Sequence, residues 1–122
     1  MIRHKELRQI SKGVVRDLAK LTNNETLKDL LKFKNRKALD EYLYYADILD
    51  ILKDFATPQT VPLPELVRLL SACLVRAYSI ASHGDAGHID LCVREVAYDY
   101  KDRRHLGTAT RWLLSHEGPF RI

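Results

Sequence analysis

The chain has 122 residues, of which 46% are hydrophobic and 30% charged, with four prolines and five glycines. That is the composition of one soluble globular domain; it excludes a disordered chain and disfavours an all-β chain built from many turns. The net charge of +4 hides a gradient: residues 1–37 hold eleven Lys/Arg and four acids, residues 38–66 one Lys and six acids, residues 67–122 eight Lys/Arg and six acids. A strongly basic end beside an acidic middle suits a polyanion on one surface and a basic partner on another.

In chain order, the spacing predicts a first helix from about Arg3 to Leu21, ended by Thr22-Asn23-Asn24. Its Leu7, Ile10, Val14, Leu18 and Leu21 share one side, and Lys5, Arg8, Lys12, Arg16 and Lys20 form a stripe on the other. Asn24 is placed to cap a second helix from Glu25, apolar at Leu27, Leu30 and Leu31 and basic at Lys28, Lys32 and Arg36. A break is expected near residues 35–37, then a helix from about Ala38 to Phe55 with Asp40, Asp47, Asp50 and Asp54 along one face.

Residues 57–62 read as a loop, and Pro64-Glu65 opens the next helix. That helix, about 63–83, is apolar almost all the way round and is expected to be the buried centre of a bundle, closed by His83-Gly84. A further helix is expected from about His88 through Arg104, burying Leu91, Cys92 and Val96, and a last one over Thr108 to His116. These expectations describe an all-α fold: a single helical domain over residues 1–122, a compact bundle of five or six helices.

The N-terminal Met1-Ile2-Arg3-His4-Lys5-Glu6 lacks the apolar run of a signal peptide, and no stretch reads as a membrane span. With Cys73 and Cys92 both in apolar patterns, a reducing, cytoplasmic setting without a membrane partner is expected. His83 and His88 flank a Gly-Asp-Ala-Gly turn, but no Cys-x-x-Cys or His-x-x-x-His pair accompanies them, so neither metal nor other cofactor is expected.

Candidate function follows the charges. Lys5, Arg8, Lys12, Arg16, Lys20, Lys28, Lys32 and Arg36 offer a track that neutralises nucleic-acid phosphates without reading sequence. Lys101, Arg103 and Arg104 form a second basic cluster at an expected helix end. Asp40, Asp47, Asp50 and Asp54 present an acidic face to a basic protein neighbour. For catalysis the one candidate is Arg76 with His83: seven residues apart, they share a helical face on which a guanidinium and an imidazole reach one phosphate. This spacing resembles the Arg-x(4–6)-His element of HEPN ribonucleases, and Arg111 with His116 matches it too.

The basic first helices, Lys5 to Arg36, followed by the apolar stretch Leu66 to Ala81, resemble the small subunit of CRISPR-associated Cascade-type effector complexes. The resemblance implies a non-catalytic subunit in antiviral defence. Such a subunit contacts guide–target duplex or displaced DNA backbone through Lys/Arg and packs against other subunits, including copies of itself. A HEPN-like metal-independent ribonuclease using Arg76 and His83 is the alternative, and a protein-binding adaptor or inhibitor the second alternative.

Overall fold

Ser11 starts the first helix: its Oγ accepts a hydrogen bond from the Val14 amide at 3.3 Å, which satisfies one of the donors a helix leaves free at its N-terminus. The computed structural model describes residues 5–57 and 59–119. It places α1 at Lys12–Thr22 and ends it on Asn23, held left-handed at φ 52°. Residues 5–11 carry no helix, so the expected helix from Arg3 is shortened, and its first residues lie outside the described residues. Asn24 caps α2 (Glu25–Leu30) through Oδ1, which accepts from the Leu27 amide at 3.0 Å. A 3-10 turn at Phe33–Asn35 leads into α3 (Arg36–Tyr45), the break expected there.

The continuous helix expected over 38–55 is two helices. Asp47 and Asp50 cap each other: Asp47 Oδ1 accepts from the Leu49 and Asp50 amides at 2.9 and 3.2 Å, and Asp50 Oδ2 accepts from the Asp47 amide at 3.0 Å. This reciprocal box starts α4 (Ile48–Phe55) afresh. Next comes α5, and it stops at Leu69 (Leu63–Leu69).

Clustering of contacts divides the chain into two compact units, Met1–Leu74 and Val75–Ile122. In the first, Ile10, Val14, Val15, Leu18, Ala19, Leu27, Leu39, Ile48, Ile51, Val61 and Leu70 form one core. The amide of Ile48 donates to the Leu7 carbonyl at 2.9 Å and that of Glu6 to the Ser71 carbonyl at 2.8 Å, so the N-terminal segment is held to α4 and to the end of α5.

The all-α expectation fails in the second unit. Residues 75–96 hold no helix, and an antiparallel bridge joins Ile80 to Leu91. Strands β1 (Ala97–Tyr100) and β2 (Arg103–Leu106) pair antiparallel, with Tyr98 opposite His105 and Tyr100 opposite Arg103. Only α6 (Thr108–Ser115) is helical in this unit among the described residues. The expected buried helix over 63–83 is therefore a seven-residue helix followed by open chain, with Val75 96% and Ile80 63% exposed. Leu91, Cys92 and Cys73, expected inside, are exposed as well. A long apolar run serves a helix or a strand equally well, and here Leu70, buried in the first unit's core, takes extended backbone (ψ 134°) and ends the helix by packing rather than by any local breaker. No helix among the described residues is long and apolar enough to cross a membrane.

The β1–β2 turn has a measurable cost. Lys101 and Asp102 both sit at positive φ, 48° and 57°, the two-residue turn that Asn-Gly fills with least strain. Replacing Lys101-Asp102 by Asn-Gly is expected to stabilise the hairpin by about 1 kcal/mol, read as a higher urea midpoint at unchanged slope.

Candidate functional site

The first-unit cations do not form an open track. Lys5 Nζ donates to the Leu70 carbonyl at 2.9 Å. Lys12 pairs with Asp40, and Arg36 approaches the same carboxylate at 4.0 Å. Lys20 lies 3.9 Å from Asp17, Lys28 3.0 Å from Glu25 and Lys32 2.8 Å from Asp29. The Lys32 ammonium, hydrogen-bonded to Asp29, holds that carboxyl below its ordinary range, and its own pKa is raised in return. Arg16 is exposed on α1, and the Arg8 amide donates to Glu6 Oε1 at 2.9 Å. Exposed pairs of this kind contribute little to stability, but they divide the stripe among acids one helical turn away.

The acidic positions are engaged as well. Asp40 holds Lys12, Asp47 and Asp50 cap α4, and Asp54 accepts from the Tyr42 hydroxyl at 2.6 Å. The basic residues expected at a helix end surround the hairpin instead: Lys101 lies 5.6 Å from the centre of the Tyr100 ring, Arg103 is in β2, and Arg104 pairs with Asp99 at 3.2 Å.

Arg76 and His83 do not share a helical face. Arg76 lies in the non-helical stretch and His83 opens a turn in which its carbonyl accepts from the Ala86 amide at 3.1 Å. The geometric basis for a two-residue nuclease site is thus gone. What the second unit offers instead is Arg76-Ala77-Tyr78-Ser79, with Arg76 and Ser79 exposed and Tyr78 half-buried. A guanidinium, a phenol ring and a hydroxyl lie within four residues of open chain.

The start of α6 is the second element of the unit. Gly107 donates its amide to the Val96 carbonyl at 2.7 Å, and Thr110 Oγ1 accepts from the Val96 amide at 3.3 Å. A Cβ on Gly107 would lie 2.7 Å from Thr110 Oγ1 and 2.8 Å from Val96 Cβ, so only glycine lets the chain turn this tightly. The first turn of α6 has no side-chain cap and no acid, which leaves its amides suited to an anion. The guanidinium, ring and hydroxyl of Arg76–Ser79 and the uncapped amides at the start of α6 lie on two separate elements, and each offers a group that can meet a flat ligand or a phosphate. Sequence reasoning had singled out Arg76 but not Tyr78, Ser79 or Gly107. The signal was present as a short apolar, aromatic and β-branched run, Leu74 to Ile80, with strand character.

Comparison with known proteins found no matching family model and no matching solved structure. Three curated proteins are similar. The chain is 31% identical over 112 residues, 90% of its length, to the sulfite reductase (NADPH) flavoprotein alpha-component of Bacillus subtilis, and it covers 18% of that protein. The namesake in Vibrio cholerae gives the same identity and coverage. That of Pectobacterium atrosepticum is 31% identical over 124 residues, 98% of this chain and 20% of the relative. The chain thus spans about a fifth of the length of the curated relatives it matches. These relatives overturn the CRISPR resemblance, and with it the non-enzymatic, nucleic-acid-binding subunit of an antiviral complex: they carry the name of a reductase component.

Proposed function

We propose that this chain forms part of a flavin-nucleotide site in an NADPH-dependent reductase component, with sulfite reduction as the activity served. The observation that carries this reading is the 31% identity maintained across nine-tenths of the chain to sulfite reductase flavoprotein components. The residues of the second unit fit such a group. Arg76 supplies a forked donor for phosphate, the Tyr78 ring a face for a flat heterocycle, and the Ser79 hydroxyl a donor or acceptor for ring heteroatoms. The tight turn at Gly107, which a Cβ would fill, presents the uncapped amides of α6 to negative charge. A flavin held by these residues would supply the redox chemistry of such a component. In this reading Arg76 neutralises the nucleotide's charge and Tyr78 shields its ring from water.

Fluorescence titration of the chain with FMN and with FAD tests the reading. Flavin emission is expected to be quenched on binding, and Arg76→Glu to weaken the affinity at least about tenfold, ~1.4 kcal/mol. Tyr78→Ala is expected to remove much of the quenching while leaving the fold intact. Emission unchanged by excess protein for both flavins would end the proposal.

A further inference from the structure

The loop that joins the Ile80 and Leu91 arms belongs to neither element of the flavin reading, and its chemistry is different. The Ala81 amide donates to the Asp90 carbonyl at 2.8 Å, next to the Ile80–Leu91 bridge. Ser82 Oγ then donates to the His88 carbonyl at 3.1 Å and accepts from the Asp90 amide at 3.0 Å. His83 and His88 stand at the two ends of the loop, beyond the isolated Ile80–Leu91 bridge. The loop brings them to one open cleft of about 340 Å³, lined also by Ile80, Ser82, Ile89 and two glycines.

The hydrogen bonds around the two rings indicate which nitrogens are available. His88 Nε2 lies 3.2 Å from Asp90 Oδ2, a contact that favours the tautomer with its proton on Nε2 and its lone pair on Nδ1. His83 Nδ1 accepts from the Asp85 amide at 3.2 Å, so its lone pair also lies on Nδ1. A carboxylate behind a histidine fixes the ring and raises its basicity, the usual support for a metal-binding imidazole. The charge of the surroundings selects the sign of the ligand. From residue 77 to 93 this basic chain has no Lys or Arg and two aspartates, which favours a cation and disfavours phosphate. Imidazole nitrogen suits zinc, nickel and copper(II), not calcium or magnesium.

We propose that the loop from Ser82 to Asp90 is a binding site for a borderline divalent metal ion, held by His83 Nδ1 and His88 Nδ1 with Asp90 as the supporting carboxylate. Binding exchanges the Asp85 amide contact at His83 for the metal, and water completes the coordination.

The test is calorimetric titration of zinc into the full chain after alkylation of Cys73 and Cys92, which removes the competing thiols. One zinc is expected to bind. His83→Ala and His88→Ala should each weaken it at least about tenfold, and Asp90→Asn by about tenfold. His83→Asn and His88→Asn, polar at the same exposed positions, should behave like the alanine variants if ligation rather than folding is at stake. The Asp85 amide resonance should move on zinc addition in the wild type and not in His83→Asn. No heat at millimolar zinc, or equal binding by the His83→Asn/His88→Asn double variant, overturns the site. Neither result bears on flavin binding, which is read separately by fluorescence.

Discussion

Leu27→Ala is expected to lower the stability of the protein by about 3 kcal/mol, among the largest effects of any single truncation in it. Leu27 is 0% exposed and sits on α2, a helix of only six residues. So short a helix has almost no stability of its own and persists because its apolar side is packed. Removing the isobutyl group loses the transfer free energy of the buried methylenes. It also leaves a cavity that Leu18, Ile51 and Val15, the other fully buried large side chains, cannot collapse to fill without leaving their own packing. Urea unfolding followed by circular dichroism gives the number. Leu49→Ala serves as the control, because Leu49 is 50% exposed and should cost well under 1 kcal/mol. Equal effects at the two positions would show that the first unit's core is wrongly placed.

The second large effect is expected at Gly107. Its φ of −69° is open to any residue, so backbone strain plays no part. The penalty in Gly107→Ala comes from the added methyl lying 2.7 Å from Thr110 Oγ1 and 2.8 Å from Val96 Cβ. Val96 cannot swing away without breaking the 2.7 Å bond between its carbonyl and the Gly107 amide. Overpacking of this kind costs about 1–3 kcal/mol. The same change should loosen the start of α6 and weaken flavin binding beyond what the stability loss explains. Gly13→Ala is the matched control: the nearest atom to its added Cβ is 3.7 Å away, and in α1 the change should be neutral or slightly stabilising. Flavin titration and urea unfolding on both variants separate the two consequences.

Much of the first unit is legible in the sequence, because its signals are local. Asn24 before an apolar-periodic run, the break near Asn35, the non-helical residues 59–62 and Pro64 opening a helix are each read from one or two residues and recur in the structure. The split at Ala46-Asp47 was legible too, in the Asp47/Asp50 spacing, but four aspartates in a row of positions look like a surface stripe before they look like a cap. The second unit is illegible for the opposite reason. Its hairpin turn is Lys101-Asp102, with no glycine or asparagine to mark two left-handed residues, and the chain that enters it from α5 has no glycine or proline between Leu70 and Ser82. Tertiary packing of Leu70, which no local pattern expresses, decides where helix ends. The basic stripe misled in a simpler way. Asp17, Glu25 and Asp29 stand three residues before Lys20, Lys28 and Lys32, and that pairing outweighs the impression of a continuous cationic face.

The joint between α1 and α2 is two residues long, and the two divide its work. Asn23 reverses the chain by taking left-handed backbone, while Asn24 begins the next helix and also donates Nδ2 to the Phe55 carbonyl at 3.4 Å. Such a joint sets the rotational phase of α2. One residue inserted there separates the left-handed reversal from the cap that starts α2, and so pulls Leu27 out of register with the core it fills. Along this chain, tolerance to a change in length is therefore a different map from tolerance to a change in residue type. At Asn23-Asn24 length is fixed by geometry even where another left-handed residue or another cap would serve the chemistry.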